Sequence, residues 1–174
     1  MEIKEKTYAL IDGLKATCQT FGLGNDGNEF KIITQVFLYK YLNDKFGYEI
    51  RKIDTNLATA EKWETAYANM SESEREDLLD QLSPDVPVLY PEHLISNLWN
   101  QQSKGDFDLI FDATMINISD INSEIFSTKT SQRTQVPLFE KLTRFVSDES
   151  LWAEFGCAVV FKLDYFSCYE ASTK

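Results

Sequence analysis

The stretch from Phe30 to Phe46, FKIITQVFLYKYLNDKF, constrains the fold more than any other part of the chain. Ile33, Val36, Phe37 and Tyr41 follow helical spacing on one face, and Ile32, Leu38, Tyr39 and Leu42 cover most of the remainder. A helix that is apolar on almost every side must be buried, so neighbouring helices have to pack around it. The spacing predicts a central helix over 30–46 that stops at Gly47 and organises a core, with no catalytic group evident. Strands have no comparable claimant. VPVLY and CAVVFKL alone carry local β-favouring residues, and the second falls inside a stronger helical period. The chain reads as all-α, a multi-helix globular bundle around that buried central helix.

Other segments supply the surrounding helices. Ile3, Leu10, Ile11, Leu14 and Cys18 recur at helical intervals from about Glu2 to Thr20. FGLGNDGN then breaks the helix, with glycines for the exit and Asn25, Asp26 or Asn28 as caps for the next one. A third helix carries Trp63, Tyr67 and Met70, and Ser71 to Glu74 spells a capping box that opens a fourth. SPDVPV punctuates the chain, because neither Pro84 nor Pro87 can donate to a helix ladder. Pro91 suits the first turn of a helix that reaches Lys104-Gly105. Asp106 is placed to cap another, along which Phe107, Ile110, Phe111, Thr114, Ile118, Ile121 and Ile125 keep helical spacing. The polar loop STKTSQRTQ closes that unit, and helices from Pro137 to Phe145 and from Glu149 to about Tyr169 complete the reading. A single helical domain over 1–174 is expected, with SPDVPV as a joint between sub-units 1–83 and 88–174. The chain stops just after its last helix, which suggests a piece excised from a longer protein.

Bulk properties narrow the function classes. A hydrophobic fraction of 43% with 26% charged residues describes a folded chain and excludes wholesale disorder. The formal charge of -11 argues against wrapping nucleic acid, so any DNA contact must be local. Lys40, Lys45, Arg51 and Lys52 gather toward the end of the central helix, and Lys129 and Arg133 mark a second polar loop. These six are the candidate DNA-facing residues, although lysines interleaved with acids are commonly just surface. Cys18, Cys157 and Cys168 form no CxxC pair and read as reduced, core-filling thiols. With no signal peptide and no clean apolar span, a soluble cytoplasmic protein with no membrane partner is expected.

Recognisable chemistry is sparse. Gly22-x-Gly24-x-x-Gly27 matches the letters of a dinucleotide loop, but a helix precedes it where that loop needs a strand, so a glycine-rich connector is the better reading. His93, the sole histidine, could act as a general base, yet no partnered nucleophile lies near it and a surface or capping role is favoured. Asp106, Asp108 and Asp112 lack the glycine and closing Glu of a calcium loop and are expected to cap and solvate a helix. The run Glu72, Glu74, Glu76, Asp77 and Asp80 could face a basic partner or be a solvated helix face. No catalytic, cofactor-binding or metal-ligating residue is assigned.

Two segments, IITQVFLYKYLNDKF and VLYPEHLISNLWNQQSKGDFDLIFDATM, together resemble the helical N-terminal domain of the modification (M) subunit of type I restriction-modification systems. The resemblance implies a parent adenine-N6 DNA methyltransferase that uses S-adenosylmethionine. It also implies as partners a methyltransferase domain of the same polypeptide, a specificity (S) subunit, a second M subunit, a restriction (R) subunit and DNA. Such a parent would flip an adenine from the duplex to methylate it. This chain has no Asn or Asp followed by Pro-Pro and an aromatic, and no FxGxG-like turn after a strand, both of which the resemblance places beyond Lys174. The expectation is a non-catalytic helical domain that binds no cofactor itself, supports subunit assembly and helps close around DNA. The alternative is a stand-alone acidic protein that binds a basic surface or imitates DNA as an inhibitor.

Overall fold

The computed structural model describes residues 3–24, 27–123, 128–129 and 135–136. The described residues are all-α in class: α1 (Ile3–Thr20), α2 (Gly27–Ile53), α3 (Thr55–Thr59), α4 (Trp63–Ala68), α5 (Glu72–Leu79), a 3-10 turn (Pro91–His93), α6 (Ile95–Gln101) and α7 (Phe107–Ile121). Two residue pairs in the expected polar loop form a small antiparallel ladder, β1 (Thr128–Lys129) on β2 (Gln135–Val136), with Thr128 opposite Val136. Arg133, Cys157, Cys168 and the helices expected over Pro137 to Phe145 and Glu149 to Tyr169 lie outside the described residues.

The connection from α1 to α2 follows from its glycine. Leu23 N donates to Cys18 O at 2.8 Å and Gly22 N to Gln19 O at 3.1 Å, the paired bonds of a Schellman exit. That exit needs a left-handed residue, and Gly22 supplies it with φ of 74°. The chain reverses, and Leu10, Leu14 and Cys18 of α1 join Ile32 and Val36 of α2 in one buried core.

Gly47 does not end the central helix, which runs to Ile53. The glycine is there for space: a Cβ at Gly47 would stand inside the indole of Trp63, 2.8 Å from both Cε2 and Cη2. Trp63 thereby lies against the helix axis, edge-on to Phe46 at 6.4 Å, while Tyr67 meets Phe46 at 5.4 Å. Burial is also less complete than the apolar pattern predicts. Tyr39, Leu42, Phe46 and Ile50 are fully enclosed, but Phe30 is 76% exposed.

Polar bonds set the shorter helices. Asp54 accepts from Asn56 N and Leu57 N and starts α3, an element too short to show periodicity. Ser71 Oγ accepts from Glu74 N while Glu74 Oε2 accepts from Ser71 N, so the capping box forms as its letters indicate. The single helix expected after Pro91 is instead broken at Leu94, whose extended backbone separates the 3-10 turn from α6. Asp106 occupies the N-cap of α7 and its carbonyl accepts from Ile110 N, but its side chain accepts no cap bond. Asp112 is buried in α7, not solvated. Among the described residues, no helix is long and apolar enough to cross a membrane.

Candidate functional site

Four of the candidate DNA-facing residues lie on α2, and the structure separates them. Lys40 is buried at 4% exposure, and its ammonium meets Asp44 Oδ1 at 2.7 Å one turn along the helix. Its charge is matched inside the protein, which takes Lys40 out of any surface basic group. Lys45 and Lys52 stand two turns apart on one face. Lys45 Nζ donates to Asp85 O at 2.7 Å and approaches Asp85 Oδ2 at 3.2 Å, and this bond holds the Asp85 carboxyl below its ordinary range. Lys52 donates to both Glu49 carboxylate oxygens at 3.0 Å and sits 4.0 Å from the Tyr48 ring centre. Hydrogen bonding to Glu49 raises the Lys52 ammonium above its ordinary value.

Arg51 Nε donates to Gly47 O at 2.9 Å, and its guanidinium lies 6.0 Å from the Trp63 ring. The last turns of α2 therefore present Lys45, Arg51 and Lys52 as cations held by carbonyls, carboxylates and aromatic faces. A phosphate arriving there would compete with Glu49 and Asp85 for the lysines. Lys129 belongs to β1, and Arg133 lies outside the described residues.

A second group of polar side chains, from α2, α4 and the end of α7, holds the segment from Val88 to Ile95, and composition and charge gave no pointer to it. Tyr39 Oη donates to His93 O at 2.6 Å, and Asn43 Oδ1 accepts from Ile95 N at 3.1 Å. Tyr67 Oη donates to Leu89 O at 2.7 Å, and Asn122, which caps the end of α7, both accepts from Val88 N and donates to Val88 O. Burial pushes the Tyr39 and Tyr67 phenols well above their ordinary value, so both remain donors. The readable signal was an amide and a phenol within an apolar helix, since buried polar groups must find partners.

His93 belongs to this joint and is buried, not a surface residue. Its Nδ1 accepts from Tyr90 N at 3.1 Å, which closes the 3-10 turn on itself, so the capping role holds. Burial lowers its affinity for a proton below the ordinary histidine value. Cys18 is buried in the core, and burial raises its thiol to about 11, where it is neutral. Glu72, Glu74, Glu76, Asp77 and Asp80 are exposed along and just past α5, as a solvated face requires. Among the described residues, no group of His, Cys, Asp and Glu is arranged to hold a metal ion. The Gly22 turn closes α1 by Schellman bonds and follows a helix, so it does not fit the methyl-donor loop that the resemblance implies for the parent. Comparison with known proteins finds no matching family model, no matching curated protein and no matching solved structure.

Proposed function

We propose that the chain is the N-terminal helical, non-catalytic domain of a type I restriction-modification adenine-N6 DNA methyltransferase subunit, supporting subunit assembly and closure around DNA. The observation that carries this reading is the way the two resembling segments meet. Tyr39 and Asn43 of the first hold His93 and Ile95 of the second across more than fifty residues of chain. Tyr39 also packs edge-on against Phe111 at 6.3 Å, near the end of the second segment. Segments that carry one resemblance thus form one interlocked core. The cations at the end of α2, of which Lys52 is exposed and Lys45 and Arg51 are half-buried, offer a few phosphate contacts in keeping with a local DNA role.

The test is methyl transfer from isotopically labelled S-adenosylmethionine to DNA. The 174-residue chain alone should transfer nothing. A chain extended through the missing Asn/Asp-Pro-Pro-aromatic motif, with its specificity subunit, should transfer label, and the short chain should co-purify with those components. Transfer by the short chain, or no association with either, overturns the reading. A second reading, an acidic module that occupies a basic protein surface, draws on the exposed carboxylates of α5 and the net charge of -11. It predicts nuclease inhibition relieved by salt, in the absence of any methyltransferase subunit.

A further inference from the structure

We propose that the Pro91–His93 turn is an acid-operated latch, in which protonation of His93 opens the turn and releases α6 from α2. This stands on the geometry of the joint and is independent of the proposed function. The His93 ring is 2% exposed and edge-on to Tyr90 at 5.8 Å. Tyr90 N can only donate, so the Nδ1 that faces it at 3.1 Å carries no proton. Adding one sets two N–H groups against each other inside the protein. The same residue's carbonyl receives the Tyr39 hydroxyl, and two residues on Ile95 N donates to Asn43, so a turn that opens draws both latches away from α2.

The ionisable surroundings leave His93 as the switch. Glu92 adjoins it and favours the charged ring, but burial outweighs that effect. On α2 stand Tyr39 and the mutually matched Lys40 and Asp44. On α4 stands Tyr67, with Arg75 of α5 over its ring at 5.5 Å. α7 carries Asp108, Asp112 and Asp120, and α6 has no ionisable side chain. The sign is set by the lowered proton affinity: the unfolded chain binds the proton more readily, so the latch is whole above the ordinary histidine value of 6.5 and is lost as pH falls below it.

The experiment follows the single histidine ring by proton NMR while backbone hydrogen exchange is read between about pH 7.5 and about pH 5, corrected for the intrinsic rate. Protection at His93, Ile95 and Leu98 should fall about tenfold or more as the ring titrates. His93→Asn, which can keep an acceptor oxygen near the Nδ1 position without a charge, should hold its protection throughout. In Glu92→Gln the opening should move to lower pH. Wild-type protection that survives titration of the ring, or an unchanged opening in either variant, overturns the latch. If His93→Asn does not fold, the Glu92→Gln shift decides alone.

Discussion

The two halves of α2 have similar apolar content and different surroundings. Toward its start, Phe30, Ile33 and Phe37 border an open groove of about 460 Å³ shared with Ile11 and Lys15 of α1. Toward its end, Tyr39, Leu42, Phe46 and Ile50 have no exposed surface. Hydrophobicity demands cover for both halves without saying what will provide it. The second half also carries polar atoms at fixed positions, three of which find partners in the 85–95 segment: Tyr39 with His93, Asn43 with Ile95, Lys45 with Asp85. The apolar area stabilises, and the hydrogen bonds choose which chain segment is seated and in what register.

That contrast can be broken most severely at the buried ion pair. Asp44→Ala leaves the Lys40 ammonium enclosed without its carboxylate and should cost about 3–5 kcal/mol in urea denaturation. Lys40→Met with Asp44→Leu should restore most of the loss, since a matched apolar pair carries no desolvation penalty. A double variant as unstable as Asp44→Ala would mean that the region is held by something other than charge matching.

Gly47→Ala comes next. Alanine is the better helix former by about 1 kcal/mol, yet the Trp63 ring occupies the space its methyl needs, so a net loss of about 1–3 kcal/mol is expected. Trp63→Leu should make the same glycine change harmless or favourable. Tyr39→Phe removes one oxygen and strands the His93 carbonyl, for about 1–3 kcal/mol. At the open end the effect should nearly vanish: Phe30→Ser should move the urea midpoint by the equivalent of about 0.5 kcal/mol or less. A loss there as large as that of Tyr39→Phe would mean that Phe30 is covered in solution.

Much of this fold was legible before any coordinates. Three- and four-residue spacing located α1 and α7, the Ser71 to Glu74 letters located the start of α5, and glycine-rich FGLG located a helix exit. The misreadings share a physical cause, which is that local rules carry no information about distant neighbours. Gly47 reads as a stop because glycine weakens a helix, and only the arrival of Trp63 from 16 residues on makes its missing side chain an advantage. Lys40 reads as surface because lysine rarely enters a core, although Asp44 one turn later was the available hint of a buried pair. His93 reads as exposed because the elements packed on its turn include α4 and α7, which are distant in sequence and which no local pattern announces. The cations at the end of α2 were legible as a group, but the carboxylates that share them were not all adjacent in sequence, Asp85 being 40 residues from Lys45.

The central claim is that the later half of α2 is pinned by the segment after SPDVPV, and native-state hydrogen exchange measured along that one helix tests it most directly. Amides from Tyr39 to Ile50 should exchange only at the rate of global unfolding, with those near Phe30 exchanging through smaller openings, and Tyr39→Phe should bring the two halves closer together. Equal protection along the whole helix, or a gradient unaltered by Tyr39→Phe, would contradict the account.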